Sequence, residues 1–161
     1  MALAALPPTK DIKEVLEGLL GRTVDLRECE PWTPTPGTAM IAAEFHDDVD
    51  RLAATAVVDL PLGIFLGAAV GLLPPGGAQD MAADGELTAM LADNLYEVLN
   101  VTSSVFNRPG VPHVRLTQVH GPGDPAPREI VGWLSTPVGR LDLAVDVSGY
   151  GSGVLVLATG P

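Results

Sequence analysis

Between Leu60 and Leu73 the chain carries no polar side chain at all. The run of about 14 residues is too short for a membrane-spanning helix, which needs about 20. It opens with Asp59 and Pro61, an acceptor and a ring suited to a first helical turn, and closes at Pro74-Pro75-Gly76-Gly77. A helix apolar on every side has to lie inside a protein. The rest of the chain must therefore supply layers that cover it. Gly63, Gly67 and Gly71 recur every four residues on this segment, a stripe along which another backbone can come close, within the subunit or from a second copy.

The flanking sequence offers those layers. Lys10 to Leu20 places Ile12, Val15, Leu16, Leu19 and Leu20 at helical spacing, and Gly21 ends the pattern. Thr23 to Arg27 reads as a short strand. Thr38 to Phe45 and Leu52 to Asp59 read as two strands joined by the polar turn at His46 to Asp50. Pro74 to about Gly85 reads as a loop. From about Glu86 to Asn107, Leu87, Leu91, Leu95, Val98, Leu99, Val105 and Phe106 gather on one side of a long helix. Beyond Arg108-Pro109-Gly110 the period switches to two. Val114 to His120, Ile130 to Thr136, Leu141 to Val147 and Val154 to Thr159 are the strand candidates. In the third, Leu141, Leu143, Val145 and Val147 alternate with Asp142, Ala144 and Asp146, which predicts a sheet with one wet face. The expectation is a single α+β domain over residues 1–161, an antiparallel sheet packed against two long helices.

The side of the long helix away from its leucines is a polar comb of Asp93, Glu97, Asn100 and Ser104. No Lys or Arg occurs from Met81 to Asn107, so neither acid has a helical partner three or four residues away. Asn inside a helix costs roughly 0.5 kcal/mol against Ala, because its amide competes for backbone hydrogen bonds. Stability does not explain the strip. It reads either as a solvated face or as a binding face.

Charge and composition remove other functions. A net charge of −11 opposes nucleic acid and anionic membranes as partners. The single Cys29 makes no internal disulfide and reads as a small buried hydrophobe, so the expected compartment is the cytoplasm. His46 with Asp47, Asp48 and Asp50 has the composition of a hairpin turn rather than calcium-loop spacing. His113 and His120, seven apart on one strand, fall on opposite faces. No metal site of its own is expected, and Gly149 to Gly153, with no helix pattern following, reads as a turn.

The spacing Asp93-x3-Glu97-x2-Asn100, on the second helix after a strand pair, resembles the signature of the CheC/CheX/FliY family of CheY-type response-regulator phosphatases. The order of elements across nearly the whole chain is similar too. Only one comb is present, since Lys10 to Leu20 carries none, so the chain looks most like the single-site CheX-like branch. The resemblance implies Glu97 and Asn100 as catalytic residues, with Asp93, Glu97 and Ser104 meeting the partner. It implies a phosphorylated CheY-like receiver as that partner, pairing into a homodimer, and no cofactor beyond the divalent metal carried by the receiver. The family tends to set small residues beside the acid and the amide and a Pro after some 22 intervening residues beyond the Asn, the position of Gly123 here. Here Tyr96 precedes Glu97, Leu99 precedes Asn100, and Pro122 falls one short of the last position.

Overall fold

In a computed structural model describing residues 5–35, 37–137 and 139–160, helix α1 (Thr9–Leu20) leads into strand β1 (Val24–Glu28). Strands β2 (Met40–His46) and β3 (Leu52–Asp59) follow, then helices α2 (Leu60–Val70), α3 (Pro75–Asp84) and α4 (Ala89–Thr102). A 3-10 turn (Ser103–Phe106) closes α4. Strand β4 (Arg115–His120), helix α5 (Arg128–Leu134) and strands β5 (Arg140–Val147) and β6 (Gly151–Thr159) complete the chain.

The six strands form one antiparallel sheet in the order β1-β5-β6-β3-β2-β4. Helices α1, α2 and α4 cover one face. Ile41, Ala43 and Phe45 of β2 and Ala54, Ala56 and Val58 of β3 point into the core they share with these helices. The alternate residues Ala42, Val57 and Val156 point the other way and pack against Ile130 and Leu134 of α5. The central strands are thus covered on both sides, which period two alone does not reveal.

Helix α2 is the buried element its composition demands, with every residue from Leu62 to Ala69 buried. The Asp59 carboxylate accepts the Leu62 N–H at 3.0 Å and fixes its first turn. Burial pushes this carboxyl up, against backbone N–H bonds from Leu62 and Val154 that favour the charged form. No helix among the described residues is long and apolar enough to cross a membrane.

Several expectations need correction. Residues 75–84 form α3 rather than a loop: Pro75 sits at the first helical position and Gly85, at φ +70°, ends the helix in the left-handed conformation. Only Ala78 of α3 is buried, so there was no apolar stripe to read. The strand expected at Ile130 to Thr136 is α5, whose Ile130 and Leu134, four apart, bury on one helical face. A short apolar run fits either period. The comb helix ends at Thr102, not Asn107. Strand β6 starts at Gly151, inside the expected turn. Asp142 is not on a wet face: it is buried in a two-pronged ion pair with Arg140, at 2.8 and 2.7 Å. Cys29 is exposed rather than buried. Partial burial, then the nearby Asp142 and Glu30 carboxylates, push its thiol up and away from nucleophilic use.

Candidate functional site

Helix α4 begins where Thr88 accepts the Leu91 N–H at 3.2 Å. Leu91, Leu95, Val98 and Leu99 are buried beneath it, while Asp93, Glu97 and Asn100 are exposed on the opposite side. The glycine stripe of α2 sets the depth of this helix. A Cβ on Gly67 would stand 2.7 Å from the Leu91 carbonyl oxygen, and the Asn94 amide donates to the Gly67 carbonyl at 3.1 Å. The close approach proposed for the stripe therefore operates inside one chain, between α2 and α4. At its far end α4 tightens: the Thr102 hydroxyl donates to the Val98 carbonyl at 2.7 Å and the Ser103 hydroxyl to the Asn100 carbonyl at 2.6 Å.

The fourth tooth differs from the other three. Ser104 is exposed, but it lies in the 3-10 turn and gives its hydroxyl proton to the Val101 carbonyl at 2.7 Å. Only its lone pairs remain for a partner. Among the described residues, Asp93 and Glu97 have no ion-pair partner. The Asn100 side-chain amide likewise has no hydrogen bond to protein there. No group of His, Cys, Asp or Glu among them is placed to hold a metal ion. What the strip offers is two uncompensated carboxylates and a neutral donor and acceptor, all aimed outward.

Beside the comb lies a feature that sequence reasoning missed. A cleft of about 250 Å³ opens between α4 and the edge of the sheet. Ile41, Leu87, Ala92, Leu95 and Val119 supply apolar wall, Gly121 a gap, and Asp93 and Tyr96 the rim. Met90 and Tyr96 are 51% and 44% exposed on α4 itself, large for apolar side chains beside a charged strip. Their spacing around Asp93 was visible in sequence. The wall from β2 and β4 was not, because it depends on strand pairing.

A second polar group was missed entirely. Glu44 of β2 receives both His46 and His120, from its Oε1 to His46 Nε2 at 3.0 Å and from its Oε2 to His120 Nε2 at 2.5 Å. Burial would raise the Glu44 carboxyl, but the hydrogen bonds from the two imidazoles outweigh it and hold the group below its usual range. For His46, burial works downward and is outweighed by bonds to Glu44 and Asp50, which raise it. The Nε2 of each imidazole is spent on the carboxylate, and His46 Nδ1 bonds Asp50, so the trio is a structural clamp joining β2 to β4.

No protein-family profile and no curated protein match the sequence. Solved structures do match the fold. A FliM–SpeE complex from H. pylori aligns with a TM-score of 0.61 at 5% identity, covering 94% of this chain and 80% of the other. The CheX–CheY–BeF3–Mg complex from Borrelia burgdorferi aligns at 0.57 and 12% identity, covering 93% of both chains. FliY from Thermotoga maritima aligns at 0.53 and 10% identity, covering 92% and 82%. This chain has the CheC/CheX/FliY fold. Within that fold the comb helix α4, packed on the glycine stripe of α2, presents Asp93, Glu97 and Asn100 to solvent from one strip.

Proposed function

We propose that this protein accelerates hydrolysis of the aspartyl phosphate on a CheY-like receiver domain. The observation that carries the reading is the exposed, unpaired Asp93-Glu97-Asn100 strip of α4. An aspartyl phosphate is a reactive acyl phosphate; its hydrolysis requires a water aligned with phosphorus and neutralisation of charge. Water attacks, the bond from phosphorus to the aspartyl oxygen breaks, and inorganic phosphate and a free carboxylate result. The receiver supplies its own divalent metal and lysine. Asn100, which cannot ionise, holds the attacking water in line. Glu97, about 4.5 Å earlier along the helix axis, pairs with the receiver lysine and sets the docking register. Asp93 acts at the edge of the contact.

A docking module without catalysis is the second reading. It is favoured by Tyr96, exposed beside Glu97 where the family tends to be small, and by the fold shared with FliM. Leu99 does not favour it, because its side chain is buried and leaves the Asn100 amide unobstructed. Single-turnover phosphate release, measured with a receiver loaded with phosphate, separates the two readings. Asn100→Ala should abolish most of the acceleration while binding to a phosphoryl-mimic receiver stays nearly intact, since its task exists only in the transition state. Glu97→Ala should weaken binding as well. Wild-type binding with no accelerated release would establish the docking module, and no binding at all would reject both.

A further inference from the structure

The cleft beside the comb has a composition that selects its occupant. Its walls are aliphatic, from Ile41, Leu95 and Val119, and the one carboxylate in its lining is Asp93 at the rim, with the half-exposed Tyr96 ring beside it. No cation of this chain reaches Asp93 among the described residues, and α4 with its flanks contains no basic residue. An apolar side chain would fill the walls but strand the carboxylate. A lysine would lay its methylenes on the walls and meet Asp93, but its compact, strongly hydrated ammonium has no plane to lie on the Tyr96 ring. An arginine does all three: its methylenes lie on apolar wall while the planar, more weakly hydrated guanidinium bonds a carboxylate and stacks on an aromatic ring. We propose that this cleft receives an arginine side chain of the docking partner, with its guanidinium on Asp93 and against Tyr96. The proposal rests on the receiver reading for the identity of the partner, but not for the chemistry of the site. It gives Asp93 a defined contact apart from the reacting centre and turns Tyr96 from an obstruction into part of the recognition surface.

The test uses the whole chain and a minimal probe. Amide shifts are followed by NMR while Nα-acetyl-arginine methylamide is titrated in, with the citrulline analogue as neutral isostere and the norleucine analogue as apolar control. The arginine probe should give saturable shifts at Ala92, Asp93, Tyr96 and Val119. The citrulline probe should bind up to about fivefold more weakly, the loss of one exposed charge pair. Asp93→Asn should erase that difference, and Ala92→Leu, which fills the cleft from a helical position, should remove the shifts. Absence of saturable shifts at these residues, or equal binding of all three probes, overturns the proposal. A second arm measures a phosphoryl-mimic receiver: if it binds wild type and Ala92→Leu equally, the cleft plays no part in docking and the proposal fails while the receiver reading stands. If the arginine probe binds as described and no receiver binds, the site stands and the receiver reading falls.

Discussion

Gly67→Ala adds a single methyl where α2 meets α4, and the geometry sets what it must do. The new Cβ would lie 2.7 Å from the Leu91 carbonyl oxygen, and contact becomes ordinary only at 3.4 Å. The oxygen belongs to backbone and a Cβ is fixed in place by its own backbone, so no side-chain rotation relieves the clash and α4 must retreat by roughly 0.7 Å, the difference between those distances. Overpacking of this kind costs about 1–3 kcal/mol. Against it stands the preference for Ala over Gly inside a helix, about 1 kcal/mol. Gly18→Ala in α1 is the matched control, since nothing lies within 4 Å of its would-be Cβ; it should stabilise by up to about 1 kcal/mol. The two substitutions make the same change to the unfolded chain, so their difference isolates the contact. Urea unfolding should put Gly67→Ala about 1–3 kcal/mol below Gly18→Ala, with a melting temperature lower by several degrees, at about 2–4 °C per kcal/mol. Gly71→Ala should fall between them, because the atom it meets is the end of the Asn94 side chain. Equal stabilities for the Gly67 and Gly18 variants would refute the claim that the stripe sets the depth of the comb helix.

Three further outcomes are expected. Asp142→Asn leaves the buried Arg140 guanidinium without its counter-charge, its side chain being 3% exposed, and should cost about 3–5 kcal/mol in chemical denaturation; Arg140 also donates to the Leu134 and Trp32 carbonyls at 2.6 and 2.7 Å, so Trp32 fluorescence should change with it. The Glu44 clamp predicts a pH window: the raised His46 contributes stability below about 6.5 that is lost as pH rises through its folded-state value, and the lowered Glu44 contributes stability above about 4.5 that is lost as pH falls. Melting temperature should therefore carry a component that is greatest between those limits; His46→Gln, with Asp50, Arg115 and His120 left in place, should remove its upper limb and only weaken the lower one, because His120 still bonds Glu44. The two open sheet edges, β1 and β4, lead us to expect a homodimer, and sedimentation equilibrium at micromolar concentration showing only the 16.7 kDa species would exclude it.

The parts of this fold that could be read in sequence are those whose environment is uniform along the element. Helix α2 is apolar on all sides because it is buried on all sides, and α1 and α4 each bury one stripe, so all three were legible. The strip of Asp93, Glu97 and Asn100 was legible for the same reason, since its exposure follows from the burial of Leu91, Leu95 and Val98 on the same helix. Where packing is nonuniform the pattern fails. Helix α3 buries only Ala78. Helix α5 is seven residues long and buries Ile130 and Leu134, which a short alternating run also allows. Asp142 looked solvated because its rescue by Arg140 depends on side-chain reach, not on period. The Glu44 clamp and the cleft join residues from β2, β4 and α4, and no local pattern records which strands become neighbours.

Strand β6 stands between β5 and β3, so the sixth strand of the sheet in chain order is the one that joins its two halves. The partners of β1 lie on β5, with Val24 opposite Val147. The pair β2 and β3, by contrast, closes across a short turn, and α2, α3 and α4 follow at once. On a ribosome the comb helix and the hairpin beneath it can therefore assemble early, while the sheet remains in two pieces until residues 151–159 emerge. Until then β3 offers a long, apolar, unpaired edge to any other chain. Loss of those nine residues would remove the middle of the sheet rather than a margin, leaving β1–β5 with no connection to the strands that support α4. The nascent domain is therefore at greatest risk of aggregation after the comb helix has formed and before β6 seals the sheet.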